Sequence, residues 1–485
     1  MNFRIKNYIS ILTAATVFAS CSKNYLNQEP TTAAALTTAI QTESDLGTAV
    51  TGAYSVLRNT DLYGRTLPVK GDLMADNTFV TTANSGRYLT MNSYNQINSD
   101  SYALAVWTQA YTAIKYANTV INNASIATTA TGKEYLGEAY AIRALMHFEL
   151  VRNFAHPYTI ASGSTTDTLG IPIVTSFNQN ALPGRNSIKA VYAQIISDLE
   201  AAYGLMTVYR GTAYMSKYAA RALESRVYQT MGDWTNAKTT ALDVITNSGW
   251  AMVASTAFVG YMQNPAVQTT TKNETFFEVS SDINNNNQFD QIGFIYLTAG
   301  GGYGDILVNA DLYNAYSTTD VRKNLISVGT RSGQTGTAYL CQKYINAANT
   351  TDKDDTKVLR LADVILIAAE AYYNSSDYTN ANLYLNMVAK QRDPSFAGWA
   401  DNGTQVLEDI LVERRKELAF EGSRFWDLLR LKRSFTKTSN QSPLTTIAVN
   451  PTAYTTSPNT QIIFPIPQTE LNANPTIAAQ QNPGY

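Results

Sequence analysis

Histidine and cysteine are almost missing from this chain, at two residues each in 485. Imidazole is the commonest general base and metal ligand, so its scarcity disfavours hydrolytic and metal-dependent chemistry. No nucleophile, base and orienting group can be assembled, and no catalytic residue, cofactor or metal is assigned. Cys21 lies in an N-terminal signal region, which leaves Cys341 without a partner and the mature chain without an internal disulfide. No apolar run approaches the roughly 20 residues that span a bilayer, since the stretch from Val364 to Ala369 stops at Glu370. A basic tract is missing too: 36 Lys+Arg against 38 Asp+Glu give a net charge of -2, which argues against nucleic acid as a partner. Length alone suggests about three domains. No Pro/Ser-rich linker or charge block divides the chain, so residues 21–485 read as a single domain.

What is present points to export and binding. Arg4 and Lys6 precede a short apolar segment, Ile9 to Phe18, and Val17-Phe18-Ala19-Ser20-Cys21 resembles a bacterial lipobox. Residues 1–20 are therefore expected to be a lipoprotein signal peptide, with Cys21 acylated and holding the protein on a membrane. The 31 tyrosines supply flat amphipathic rings in a chain poor in acid-base groups, a bias toward binding.

Helical periodicity dominates. Thr42 with Asp45 predicts an N-cap, followed by Leu46, Ala49, Val50, Ala53 and Leu57 on one face. Trp107, Tyr111, Ile114, Ala117 and Ile121 mark a second helix, Glu134 to Phe154 a third, and Ser187 caps a fourth. Tyr228 to Ala237 aligns with Tyr372 to Ala381, each copy carrying Asp, an aromatic residue and Ala at matching positions. Both look tetratricopeptide-like. The expected fold is mainly α: helical pairs forming a scaffold, with an inserted loop-rich lobe. Trp107, Trp234 and Trp426 fall on helical stripes or in a charged helical motif and are expected to be buried.

Two aperiodic stretches, residues 77–98 and 282–304, are rich in Asn, Ser, Thr, Gly and Tyr and are the candidate site loops. Asn77, Arg87, Tyr88, Tyr94, Tyr296 and Tyr303 in them, with Trp399 in a short loop after Asp393-Pro394, are the candidate ligand-binding residues, their rings exposed for stacking. Asp282 to Asp290 alternates like a calcium loop. An EF-hand loop has Gly at its sixth and Glu at its twelfth position, where this chain has Asn287 and Gly293. The Gly300-Gly301-Gly302-Tyr303-Gly304 run lacks the Lys of a phosphate loop. Glu417 and Glu421 lie one helical turn apart among arginines that are expected to keep both carboxylates ionised, so they read as structural ion pairs.

Several segments together resemble the SusD/RagB-like nutrient-binding lipoproteins of Bacteroidota outer membranes. They include Cys21 with Tyr25-Leu-Asn-Gln-Glu-Pro30, Trp107-x-x-x-Tyr111-x-x-Ile114-x-x-x-Asn118, Gly137-Glu-Ala-Tyr-Ala-Ile-Arg143, Gly170-Ile-Pro-Ile and Asp320-Val-Arg322. Leu359-Arg-Leu-Ala-Asp363, the run from Glu413 to Asp427, Phe464-Pro-Ile-Pro and Gln481-Asn-Pro-Gly-Tyr485 agree as well. The resemblance implies a protein held on the outer membrane, facing outward, that binds an oligosaccharide and delivers it to a SusC-like TonB-dependent transporter. A peptide ligand is the alternative within the family, and a surface glycoside hydrolase or a helical-repeat scaffold the alternatives outside it. One departure bears on export: Lys23 stands where acidic residues often follow the lipidated Cys of surface-exposed relatives.

Overall fold

The structure is a computed structural model that describes residues 40–161, 168–176, 178, 180–263, 273–439 and 444–485; Cys21 and the signal segment lie outside them. The longer helices, in chain order, are α1 (Glu43–Leu57), α2 (Thr66–Leu73), α3 (Ser101–Ile121), α4 (Ala130–Phe154), α5 (Ile188–Leu205), α6 (Lys217–Met231) and α7 (Trp234–Asn247). They continue with α8 (Leu361–Asn374), α9 (Tyr378–Arg392), α10 (Gln405–Glu417) and α11 (Arg424–Arg430). The expected mainly helical fold is observed.

Local chemistry sets the helix starts. The Thr42 side chain accepts from the Asp45 N–H while Asp45 reaches back to Thr42, a full capping box, and Ser187 caps α5 through the Ala190 N–H. In the two repeats, Asp233 and Asp377 cap α7 and α9 through the N–H groups of Asn236 and Asn380. Ala237 and Ala381, both fully buried, let those helices lie close against α6 and α8. Neighbours in sequence pack as neighbours in space through α3, α4, α5, α6, α7, α8 and α9 wherever helices follow in succession, as in a stacked-helix repeat. One apolar cluster runs through this stack from Leu46 to Ile477. Trp107 is buried as expected, but Trp234 and Trp426 are only half-buried: Trp234 is the first residue of α7, and Trp426 forms one wall around the Lys70 ammonium, 5.1 Å from its ring.

Short antiparallel strand pairs complete the structure: β1 (Thr78–Val80) with β3 (Ile306–Val308), β2 (Thr275–Val279) with β6 (Thr356–Arg360), β4 (Ile326–Gly329) with β5 (Ala338–Cys341), and β7 (Phe435–Thr438) with β8 (Thr446–Val449). Where β6 meets α9 and α10, the interior is ionic. Arg360 Nη1 lies 2.6 Å from Glu274 and 2.9 Å from Glu417, Arg392 Nη2 lies 2.6 Å from Glu274 and 3.1 Å from Glu417, and Arg322 Nη1 lies 3.0 Å from Glu417. All three guanidinium groups and both carboxylates are buried. Burial alone would raise the Glu417 carboxyl, but Arg392, Arg360 and Arg322 hold it well below the usual carboxylate range. Glu421 is likewise lowered, by Arg360 and Lys343 against its own burial. The pair is structural, as its arginine-rich surroundings predict.

Candidate functional site

The two aperiodic stretches meet. β1 pairs with β3 in the register Thr78↔Val308 and Val80↔Ile306, which brings residues 81–87 against Asp290 and residues 303–305. Beyond the strands the contact continues through the Thr81 N–H to the Asp305 carbonyl at 2.7 Å and the Ser85 N–H to the Asp305 carboxylate at 2.9 Å. The Arg331 guanidinium joins a third segment to them by donating to the carbonyls of Gly304 (2.9 Å), Tyr303 (3.0 Å) and Ala83 (3.1 Å). A guanidinium holding three carbonyls fixes loops that carry little regular structure of their own.

On this frame Arg87 lies over the Tyr303 ring, its guanidinium carbon 3.5 Å from the ring centroid. Asp290 sits between two cations, 2.6 Å from Arg65 and 3.7 Å from Arg87. Burial works against the charge on Arg65, yet Tyr88 and Asp290 push its pKa upward on balance, so it stays a cation. Next to Asp290, Phe289 projects into solvent with 59% of its surface exposed, tilted against Phe294 at 5.5 Å. It overlooks a cleft of about 640 Å³ between residues 283–300 and residues 347–353. Gly300, at φ +63°, lies where a Cβ would overlap Ala348, so this residue permits the close approach of the two loops that shape the cleft. Backbone strain gathers nearby: Tyr88, Tyr94 and Gln288 are non-glycine residues in the left-handed region.

Four candidate residues differ from their expected exposure. Tyr88, Tyr94, Tyr296 and Asn77 are buried. The Tyr88 ring stacks on Tyr102 at 4.7 Å and its hydroxyl accepts from Arg65 at 2.9 Å, while the Tyr94 hydroxyl donates to the Met74 carbonyl. Tyr296 packs between Tyr344 and Phe420, and Asn77 bridges Asp72 (2.6 Å) and Arg415 (2.8 Å). These side chains form the layer beneath the loops; tertiary packing has taken rings that lack a sequence period into the core. Arg87 and Tyr303 reach the surface beside the cleft. Trp399 is half-buried on a different part of the molecule, edge-on to Phe396 and pinned through its backbone to Asn386 of α9. Phe289 and the 347–353 loop were not singled out by sequence. Phe289 stands within a flagged stretch, an apolar ring flanked by amides and an acid, and that contrast is a usable signal; the 347–353 loop has no aromatic residue to mark it.

Asp282 accepts from the N–H groups of Asn284 (2.7 Å) and Asn285 (2.8 Å), an Asx turn, while Asp290 is engaged by arginine. No group of three or more His, Cys, Asp or Glu able to hold a metal occurs among the described residues.

Neither histidine lines the cleft. His147 is fully buried in α4 with neither ring nitrogen hydrogen-bonded among the described residues, and burial, aided by Arg143, pushes its pKa down to about 3. A folded-state pKa below the unfolded value of about 6.5 means that stability is fully present above pH 6.5 and is lost as pH falls toward 3. His147→Leu is therefore expected to melt higher than wild type, with an advantage that grows by about 1.4 kcal/mol per pH unit between pH 6 and pH 4. Melts at pH 7, 5.5 and 4 measure this; a constant gap across the series would contradict it.

Residues 322–485 match the family model described as the SusD family, and residues 24–229 match the model described as starch-binding proteins associating with the outer membrane. The chain belongs to the SusD-like family. SusD-like protein P2 of Formosa agariphila is 26% identical, with 99% of this chain and 100% of that protein covered. A SusD superfamily protein from Bacteroides thetaiotaomicron superposes with a TM-score of 0.80 at 26% identity, over 91% of this chain and all of the other. Another, from Bacteroides vulgatus, gives 0.79 at 25% identity over 92% of this chain and all of the other. The SusD-like assignment accounts for the helical-pair scaffold, and it carries a general nutrient-binding role.

Proposed function

We propose that this chain is a non-catalytic surface lipoprotein of the outer membrane, a single domain from residue 21 onward, that binds an oligosaccharide at the 283–300/347–353 cleft. In this reading it is anchored through Cys21, faces outward and passes its ligand to a SusC-like TonB-dependent transporter. The observation that carries the proposal is the cleft that the second aperiodic stretch forms with residues 347–353, where a solvent-exposed ring, Phe289, is set among amide side chains and Lys353. An aromatic face covers the apolar side of a sugar ring, and nearby amides and charges satisfy its hydroxyls. The family match to starch-binding proteins associating with the outer membrane supports a glycan over a peptide. The buried state of both carboxylates of the Glu417–Glu421 pair and the depressed histidines support binding without turnover.

Phe289→Ala is expected to weaken oligosaccharide binding about tenfold, since one stacked ring contributes on the order of 1 kcal/mol beyond its buried area. Its melting temperature should stay that of wild type, whereas Tyr88→Ala, which empties a packed site, should lower it. Isothermal titration with any glycan that wild type binds, alongside thermal melts, makes the measurement. Full affinity in Phe289→Ala combined with loss in Trp399→Ala would move the site to the surroundings of Trp399.

A further inference from the structure

The charge of the cleft says which glycans suit it. Of the side chains lining it, Lys353 alone is ionisable; the rest are apolar residues such as Phe289, Phe294 and Ala348, and uncharged polar ones such as Asn284, Gln288 and Thr350. The Lys353 ammonium donates to two carbonyl oxygens, Ala347 at 2.8 Å and Asn349 at 2.5 Å. An ammonium has three N–H donors, so one is left over, and the two carbonyls fix the direction of the group without neutralising it.

The neighbouring acids are turned to other tasks. Asp352 accepts from the Lys353 backbone N–H at 2.9 Å, Asp354 accepts from the Asn346 N–H at 2.8 Å and its side-chain amide at 2.9 Å, and Asp355 accepts from the Ser281 N–H at 2.8 Å. Three aspartates within three positions of Lys353 hold the loops in shape, and no described carboxylate forms an ion pair with it. At the rim, Arg87 is held on Tyr303 and only loosely paired, at 3.7 Å, with an Asp290 oxygen already bonded to Arg65. The cleft thus offers an oriented ammonium that has no ion-pair partner among the described residues, beside an exposed ring.

Resting on the glycan-binding reading above, we propose that the cleft selects oligosaccharides that carry an anionic group, a carboxylate or a sulfate ester, seated on Lys353 while Phe289 covers an adjoining sugar face. A charge-assisted hydrogen bond to a fixed ammonium is stronger than one to a neutral hydroxyl and is weakened by salt. Neutral glycans gain the stacking and the hydrogen bonds to the amides, without the charge-assisted contact.

The full mature chain is titrated with an oligogalacturonate, a sulfated carrageenan oligosaccharide and maltoheptaose, at 50 and 500 mM salt. At least one charged probe is expected to bind ten times or more tighter than maltoheptaose at low salt, and to lose most of that margin at high salt. Preference between the two charged probes tells uronate from sulfate. Lys353→Gln should remove the margin, and Lys353→Arg, which keeps the charge, should retain most of it. A charged probe that binds no better than maltoheptaose, or equally well to Lys353→Gln, overturns the anionic assignment. In that event, weakened maltoheptaose binding by Phe289→Ala leaves the cleft as the glycan site, and an unaltered Phe289→Ala removes both readings. Binding of none of the three probes also counts against both.

Discussion

Glu417→Ala should leave little soluble, folded protein. The carboxylate contacts Arg322, Arg360 and Arg392 at once, and none of the three has solvent to turn to. Removing one partner of a buried pair costs about 3–5 kcal/mol, because the charge left behind is uncompensated. Here three guanidinium groups lose a shared counter-charge, against a total stability for folded domains of about 5–15 kcal/mol. Glu408→Ala is the matched control: its pairing with Arg433 lies between side chains 46% and 40% exposed, and an exposed pair contributes at most about 1 kcal/mol. Soluble yield and circular-dichroism melts of both variants decide the matter. A Glu417→Ala protein that melts within about 2 °C of wild type would show that the arginines can re-pair, and the ionic interior would then be redundant.

Gly71→Ala, a change of one methyl group, is expected to destabilise nearly as much. Gly71 lies in the last turn of α2, and a Cβ there would overlap the Gly422 carbonyl group. Gly422 in turn has φ +76°, and a Cβ on it would lie 2.7 Å from the Pro68 Cα. Two backbones are in direct contact, so a methyl group has nowhere to go without moving one of them. Overpacking of this kind costs about 1–3 kcal/mol or more. The contact is reinforced by the Gly422 N–H donating to Asp72 at 2.8 Å, and separating the chains would break that bond too. Gly204→Ala, where a Cβ meets nothing within 4 Å in α5, should be neutral or stabilising. Chemical denaturation of the two glycine variants in parallel gives the comparison; equal midpoints would mean that α2 shifts freely.

The scaffold was readable in the amino-acid sequence because its determinants are local. Thr42, Ser187, Asp233 and Asp377 each cap a helix within three residues of themselves, and Ala237 and Ala381 mark close packing at the same place in two copies. The position of the loops was readable from what they lack, a helical period. Which rings in them face water was not. Tyr88 and Tyr303 belong to equally irregular runs, but Tyr88 is carried inward by a left-handed backbone and a stacking partner, Tyr102, 14 residues ahead. β1 and β3 have three residues each, all buried, so they show no alternation to betray a strand. The 347–353 wall reaches the cleft only through the tertiary fold, and no local signal announces it.

The β1–β3 pairing beside the cleft also governs when the surrounding surface can come into being. The Asn309 amide donates to the Asp76 carbonyl at the end of the β1–β3 ladder, across 233 positions of chain, and the Gly422–Asp72 bond spans 350. Contacts of such separation form only after a large loss of chain entropy, which slows folding and favours the helical stack assembling first. A chain emerging from its N-terminus can stack α1, α3 and α4 early, but β1 lacks its strand partner until residue 308 has arrived, and α2 lacks its glycine neighbour until residue 422 has. The recognition surface is accordingly among the last parts to mature, and a truncated or stalled chain would keep its helices while lacking any place to hold a ligand.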